Sequence, residues 1–427
     1  MLIAQHKISG TFVPAEDFKW VLLYKLTPQN SEFIERATID EQGNFEFQLN
    51  EKHTAGMYKL VYNVPQDQFN FDLIYNAQED IVLTFNNNTG IDYLTSNENK
   101  LMTSYTKSMG MISQSIGNFY RQQSTDSSAL KAIFETLKNT QEEYENSARG
   151  TMAAKFIKAN RPYLPTDYES VNNYITNIKA HYFDHVDFNE PLLQSSSFLV
   201  ERVLNYVFGM AGKGNTDTEV YQNNIDEVAL AMKDASLETK KMIYHVMWQQ
   251  LGDANFEATA NYITDTYLMT LAIESKDQGM ITQLEQFKRM ATGQIAPDFR
   301  VNVPIEGMMV PKNISSITSA QYYIVVFWSS ACPHCLEELP QLQTFMKNFK
   351  ENEVKVLAFG LEDEDNNWET EITKFPEFYH GIGLGKWENP IGEIYNVTST
   401  PTYFVLDKDK KIVAKPQSLQ ELVTVFQ

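Results

Sequence analysis

The sequence predicts a multidomain protein in which a β-sandwich and an α-helical domain precede a C-terminal α/β domain. Three patterns indicate this order. Apolar residues alternate with a period of two up to about residue 95, helical periodicity follows to about residue 290, and strands then alternate with helices. The length of 427 residues agrees, since a domain usually holds roughly 100–200 residues. We predict domains at 6–95, 96–290 and 291–427.

The first domain is predicted from short alternating runs. Turn-forming residues at 40–43 and 76–80 separate these runs, and antiparallel strands at this spacing are typical of a small β-sandwich. The alternating apolar positions are Phe45, Phe47 and Leu49, then Tyr58, Leu60 and Tyr62, then Phe69, Phe71, Leu73 and Tyr75.

The middle domain is predicted from helical spacing. Residues 131–158 are rich in strong helix formers, with a break expected at Gly150. Thr216 and Glu219 have the spacing of a capping box, which predicts the start of a following amphipathic helix. That helix is marked by the stripe Ile225, Val228, Ala229 and Met232.

The C-terminal domain follows a linker at 291–297. Three predicted strands, 322–328, 354–359 and 402–406, are largely unbroken apolar runs, which is typical of strands covered on both faces. A short strand at 412–414 forms a hairpin with the third run, and a helix at 419–426 closes the domain. The prediction is a mixed sheet with helices on its faces.

Composition excludes several classes of function. Hydrophobic residues make up 43% and charged residues 21%, as in folded proteins, and the net charge is −20. Such acidity argues against binding nucleic-acid phosphates or anionic membrane surfaces. The sequence has no apolar stretch of 18 residues that would predict a transmembrane helix. The acidic run that begins at Glu362 is interpreted as a solvated loop.

The first five residues, Met-Leu-Ile-Ala-Gln, allow two interpretations. They are too few for a complete signal peptide, but they fit the end of one, which predicts export. Alternatively, they begin the first strand of a cytoplasmic protein. We favour export on the strength of the family resemblance given below.

All of the cysteine lies in one Cys-x-x-Cys unit, Cys332 and Cys335, which follows a predicted central strand and begins a predicted helix. Two residues between the cysteines on a first helical turn bring the sulfurs within disulfide range. Pro333 suits the first helical position, and His334 can add positive charge nearby. Unpaired helix N–H groups favour a thiolate at Cys332, which makes it the expected nucleophile, while Cys335 resolves the mixed disulfide. The alternatives are a buried structural pair or half of a zinc site shared between chains.

The C-terminal third resembles the thioredoxin fold, and specifically the TlpA-like thiol-disulfide oxidoreductases of bacterial envelopes. Three segments carry the resemblance: 296–299 (APDF), 327–340 (FWSSACPHCLEELP) and 399–402 (STPT). The first 290 residues resemble, much more loosely, the regions of unknown function that precede such domains in some secreted Gram-negative proteins.

The resemblance implies roles for further residues. Pro401 is expected in the cis form, so that Thr400 presents its backbone to a substrate peptide. Glu338 matches an acidic residue that relays the proton of the resolving thiol, although a solvated helix glutamate is an equal alternative. Trp328 is expected beside the site as a substrate contact or as a core residue. Thioredoxins proper carry a buried aspartate where this chain has Val326.

The predicted function is disulfide exchange with protein substrates through a Cys332–Cys335 disulfide, without a bound cofactor or metal. Electrons would come from a partner thiol protein, possibly membrane-bound. The Pro333–His334 dipeptide favours an oxidase or isomerase, whereas the family favours a reductase, so the direction stays open. The oligomeric state stays open as well.

An alternative hypothesis is a binding or assembly protein whose front domains carry the function and whose thiols are regulatory or vestigial. His181 and His185 have a spacing that can bind a metal, but with no third ligand evident we interpret them as a polar helix face.

Overall fold

The computed structural model describes residues 6–28, 30–212, 218–350, 352–364 and 367–427. The expectations for residues 1–5 and Thr216 lie outside these ranges. Contacts divide the chain into two compact units, one ending at Ile263 and the other beginning at Thr264, and each is described by itself.

The first unit begins with the predicted β-sandwich, which is confirmed. One sheet has the strand order β4-β1-β7-β8 and the other β3-β2-β5-β6, and side chains from both sheets form one core. The strands are β1 (His6–Val13), β2 (Trp20–Leu26), β3 (Ser31–Thr38), β4 (Asn44–Leu49), β5 (Gly56–Val61), β6 (Asn70–Tyr75), β7 (Ile81–Asn86) and β8 (Gly90–Tyr93).

Strand β4 shows why these residues form a sandwich. Its side chains alternate between exposed and buried, and the buried members Phe45, Phe47 and Leu49 are those of the predicted run. The turn before it needs glycine at Gly43, whose φ is 86° and where a Cβ would lie 2.2 Å from the Phe12 carbonyl oxygen.

Helices complete the first unit, as the sequence predicts for this part of the chain. Ile225 and Val228, from the predicted stripe, are buried, and the chain breaks between two helices around Gly150. The helices are α1 (Asn97–Arg121), α2 (Ser127–Ser147), α3 (Ala153–Ala159), α4 (Val171–Ala180), α5 (Pro191–Gln194), α6 (Phe198–Val207), α7 (Thr218–Ala231), α8 (Leu237–Asp253) and α9 (Glu257–Ile263).

The second unit opens with helices α10 (Met269–Glu274) and α11 (Gln278–Arg289), which belong to the predicted middle domain. The boundary between the compact units thus lies inside the range 96–290. The three domain boundaries given above stay a prediction.

A seven-stranded mixed sheet forms the centre of the second unit, in the order β10-β9-β13-β12-β11-β14-β15. Strands β11, β12 and β13 are parallel, and β14 runs antiparallel to β11. The elements are β9 (Arg300–Ile305), β10 (Met308–Asn313), β11 (Tyr322–Trp328), α12 (Pro333–Met346), β12 (Val354–Glu362), α13 (Trp368–Ile372), β13 (Tyr379–Leu384), α14 (Pro390–Ile394), β14 (Thr402–Asp407), β15 (Ile412–Ala414) and α15 (Leu419–Val425).

Strand β11 is covered on both faces, as its unbroken apolar run predicts. Val325 and Phe327 belong to the core on one face, whereas Ile324, Val326 and Trp328 belong to the core on the other. Helices α12 and α15 cover this second face. The N-terminus of α12 is therefore held at the carboxyl end of β11.

Within the described residues, no helix combines the length and apolar character that a membrane crossing requires.

Candidate active site

The loop between β11 and α12 places Cys332 at the N-cap of the helix. Pro333 occupies the first helical position, and the Leu336 amide donates to the Cys332 carbonyl oxygen at 3.1 Å. The Cys332 amide donates to the Ser329 carbonyl oxygen, also at 3.1 Å. Cys332 therefore lies at the N-terminus of a helix, as the sequence predicts.

The two cysteines differ sharply in exposure. Cys332 is partly exposed, whereas Cys335, one turn further along α12, has 0% exposed surface. Both are free thiols in this structure, and a hydrogen bond joins them. The Cys332 thiol also donates to the Thr400 carbonyl oxygen at 3.3 Å. The two side chains are in contact, but the disulfide between them stays a prediction because both cysteines are free thiols here.

Opposing effects set the pKa of Cys332. Partial burial acts to raise the pKa, but hydrogen bonds to the sulfur outweigh it and hold the pKa below its ordinary value. These bonds come from the backbone of Cys335 and His334, from the Thr400 side chain and from the Cys335 thiol. The arrangement favours a thiolate at the more accessible sulfur.

The resolving position has the opposite character. Burial raises the pKa of Cys335 to about 12, and its hydrogen bond to Cys332 acts in the same direction. A backbone hydrogen bond from Ser329 opposes this effect without cancelling it. Cys335 is therefore a neutral thiol near pH 7.

The loop before β14 lies against the nucleophile. The Thr400–Pro401 peptide bond is cis, as the resemblance predicts, and both residues are partly exposed. Since Thr400 contacts Cys332, the structure brings the predicted thiol and the predicted peptide-binding loop together. Pro333 and His334 are exposed at the same helix end.

Glu338 is partly buried and accepts a hydrogen bond from the Tyr403 hydroxyl at 2.7 Å. It lies one turn after Cys335 on α12, so the two side chains share a helix face. A fully solvated glutamate does not fit this environment. Tyr403 was not predicted as a site residue, because its position in an apolar strand predicts only a core residue.

The expected substrate contact through Trp328 is wrong. Its side chain has 0% exposed surface and packs in the core with Cys335 and Leu339 beneath α12. A side chain closed to solvent in this way cannot contact a substrate, so Trp328 supports the site from below.

The interpretation of Glu362 as part of a solvated loop is also wrong. This residue ends β12 and is only 3% exposed. Its carboxylate accepts hydrogen bonds from the Ser329 hydroxyl (3.1 Å), the Ser330 hydroxyl (3.1 Å) and the Ser330 amide (2.6 Å). Glu362 thus anchors the loop that leads to Cys332. Two sequence features could have indicated this role: the pair of serines that precedes the cysteines, and an acidic residue just after the next predicted strand.

His181, the first member of the histidine pair, forms a hydrogen bond through its Nδ1 with the Asp184 carboxylate at 2.7 Å, and its ring stacks on Tyr163. Within the described residues, no group of three or more His, Cys, Asp or Glu side chains is placed to hold a metal ion.

A family model described as thioredoxin-like matches residues 320–412. The chain is 28% identical over 130 residues to the thiol-disulfide oxidoreductase ResA of Bacillus thuringiensis, covering 30% of this chain and 69% of that protein. It is also 28% identical over 103 residues to the sporulation thiol-disulfide oxidoreductase A of Bacillus subtilis, covering 24% of this chain and 62% of that one.

Among solved structures, a thiol-disulfide oxidoreductase from Bacteroides fragilis matches 31% of this chain and 100% of its own length, with 23% identity and a TM-score of 0.27. The C-terminal domain is thioredoxin-like, as the family match and the observed strand order show together. The family match and the relatives support an oxidoreductase acting on thiols and disulfides.

Proposed function

We propose that this thioredoxin-like oxidoreductase exchanges disulfides with protein substrates through Cys332 and Cys335 in the bacterial cell envelope. One observation carries the proposal. The accessible sulfur has a pKa below its ordinary value, while the sulfur one helical turn away is buried and protonated. This asymmetry supports attack by Cys332 and resolution by Cys335.

The reaction of the dithiol form begins at Cys332. Its thiolate attacks one sulfur of a substrate disulfide, forming a Cys332–substrate disulfide and releasing the other substrate sulfur as a thiolate. Cys335 then loses its proton and attacks Cys332. The Cys332–Cys335 disulfide forms, the remaining substrate sulfur leaves as a thiolate, and two electrons have passed to the substrate. The oxidase direction runs through the same steps in reverse.

The loop at Thr400 and Pro401 is proposed to hold the substrate peptide. Both residues are partly exposed, and Thr400 lies against Cys332, where an extended peptide could pair as an added strand. No bound cofactor is required, because a partner thiol protein, possibly membrane-bound, would supply or accept the electrons.

The direction of exchange follows from the stability of the two redox forms. A lowered pKa of Cys332 stabilises the dithiol form and makes the disulfide more oxidising. The Pro333–His334 dipeptide acts toward the oxidase side and the family resemblance toward the reductase side. The reduction potential of the cysteine pair distinguishes the two directions. It is measured by equilibrating the protein with glutathione buffers of known potential and counting the free thiols by mass spectrometry.

Trapping of mixed disulfides tests the function directly. Cys335→Ala keeps the nucleophile but cannot resolve, so incubation with an envelope extract is expected to yield covalent, reductant-sensitive adducts at Cys332. The matched control, Cys332→Ala with Cys335→Ala, is expected to yield none. Absence of adducts, with no reduction of insulin by the wild-type chain, would refute the proposal and favour a binding or assembly role.

The envelope location is proposed from the resemblance to TlpA-like proteins. Cell fractionation of the host, with antibodies against the first unit, is expected to find the protein outside the cytoplasm. A purely cytoplasmic pool would contradict the location without affecting the chemistry.

A further inference from the structure

The second step of the proposed reaction needs a proton acceptor. Cys335 has 0% exposed surface and is protonated near pH 7, so bulk water does not reach its thiol. The position where thioredoxins carry a buried aspartate is Val326 here, which cannot accept a proton. The side chains that pack beneath α12 are therefore candidates for the proton acceptor.

Tyr403 lies on the required face of the sheet. It pairs directly with Val326 in the antiparallel β11–β14 ladder, so both side chains point toward α12. Its ring has 1% exposed surface and belongs to the same core cluster as Cys335. From there the hydroxyl reaches Oε2 of Glu338 at 2.7 Å.

The electrostatics connect Tyr403 to both groups on α12. Burial, then the hydrogen bond and charge of Glu338, and finally the negative charge of a Cys335 thiolate raise the pKa of Tyr403. The phenol therefore stays protonated near pH 7 and donates a hydrogen bond to the Glu338 carboxylate before the proton transfer. In the described part of the chain, the other carboxylate oxygen of Glu338 accepts no hydrogen bond, so it remains available.

We propose that Tyr403 is a positioning residue for the second step: its hydroxyl holds the Glu338 carboxylate so that this carboxylate accepts the proton of the Cys335 thiol. The inference rests on the proposed function. In this step the Cys335 S–H bond breaks and Glu338 takes the proton, directly or through one water molecule. The freed sulfur attacks Cys332, and the substrate sulfur leaves as a thiolate. Since Glu338 is partly exposed, it then passes the proton to solvent.

The two steps can be separated with the aromatic disulfide 5,5′-dithiobis(2-nitrobenzoate) as the probe. Attack by Cys332 releases one coloured thiolate, and attack by Cys335 on the Cys332 adduct releases the second. For the reduced full chain carrying Tyr403→Phe, we expect the first release to keep its rate and the second to slow about 10-fold, a modest part of the ~10²–10⁴-fold typical of general base catalysis.

Two further variants separate positioning from a structural effect. If Tyr403 acts through Glu338, Glu338→Gln slows the second release at least as much, and adding Tyr403→Phe to it causes no further loss. Tyr395→Phe is the matched control, because this buried hydroxyl donates to the Pro297 carbonyl oxygen on the other face of the sheet. We expect both releases to keep their rates in that variant.

The outcomes distinguish the two proposals. A wild-type chain that releases no second thiolate contradicts the proposed function itself. If the wild-type chain releases both thiolates, three results overturn the role of Tyr403 alone. One is that Tyr403→Phe leaves the second release unchanged, and another is that it slows both releases equally. The third result is that its effect on the second release adds to that of Glu338→Gln. If Tyr403→Phe does not fold, Glu338→Gln alone still tests the acceptor that Tyr403 is proposed to position, and an unchanged second release overturns the inference.

Discussion

The strands of the N-terminal sandwich and the central strands of the C-terminal sheet bury their side chains in different patterns. In β4 every second side chain meets solvent, and only one face contributes to the core. In β11 every residue after Tyr322 is buried, because a separate core covers each face of the sheet.

The difference explains where reactive groups can meet a partner. A sheet covered on both faces leaves only the ends of its strands open, and in open α/β sheets ligands bind beyond the carboxyl ends. Here the carboxyl ends of β11 and β12 hold Cys332 and Glu362, at the N-terminus of α12. The sandwich uses burial for stability, whereas the C-terminal sheet also uses it to set two different thiol environments.

The largest expected effect is a loss of activity when the nucleophile beyond the carboxyl end of β11 is removed. Cys332→Ser removes the nucleophile, so insulin reduction with dithiothreitol as the electron donor is expected to fall on the order of 10³-fold, toward the uncatalysed rate. Thermal unfolding should change little, since the site is partly exposed. The matched variant Cys335→Ser still attacks once and forms a stable adduct. Substantial turnover by Cys332→Ser would place the chemistry elsewhere in the chain.

The next largest effect tests the sandwich as a packed core. Phe47 on β4 is 0% exposed, and Phe47→Ala is expected to cost about 3–5 kcal/mol of the free energy of unfolding through lost packing and a cavity. Phe33 on the edge strand β3 is 53% exposed, so Phe33→Ala should cost less than about 1 kcal/mol. Urea unfolding measures both values. Equal costs would contradict the assignment of the buried face.

Local patterns were sufficient for the parts of the C-terminal unit that form its centre. The predicted run 322–328 has the bounds of β11, and the cysteine spacing located the helix end. Strands β9, β10 and β13 were not predicted. Pro304 and Pro311 weaken the strand signal of β9 and β10, which pair with each other at the edge of the sheet.

Strand β13 was missed for a different reason, because Gly381 and Gly383 also weaken its strand pattern. A Cβ at Gly381 would lie 2.4 Å from the Arg300 carbonyl oxygen, so glycine is required by a neighbour that is distant in sequence. Tyr403 and Glu362 share this limitation. Their roles depend on partners contributed by other elements, which composition and periodicity do not reveal.

A smaller effect tests the anchoring of the active-site loop. Glu362→Gln removes the charge that strengthens three hydrogen bonds from Ser329 and Ser330, each at a buried position. We expect a loss of about 1.5–3 kcal/mol in the free energy of unfolding, measured by urea, and slower attack by Cys332. Glu369→Gln, at an exposed position on α13, is the control and should change neither. Equal stability of the two variants would mean that Glu362 does not hold the loop.

The smallest effect is a shift along the pH axis. The thiolate fraction rises with pH, so a lowered pKa means that alkylation of Cys332 by iodoacetamide reaches its plateau at a lower pH than for a free cysteine. Alkylation of Cys335 should rise only toward pH 12. Mass spectrometry of the reduced chain distinguishes the two sites.

Thr400→Val sharpens this test because it removes one of the hydrogen bonds that lower the pKa of Cys332. The midpoint of Cys332 alkylation is expected to move to higher pH, while the remaining bonds from the α12 backbone keep it below the ordinary value. Thr344→Val supplies a control, because Thr344 is exposed in the last turn of α12, at the end of the helix away from the thiols, and its hydroxyl donates to the Pro340 carbonyl oxygen. A midpoint that stays in place in Thr400→Val would mean that the helix end alone sets the thiolate, without the loop before β14.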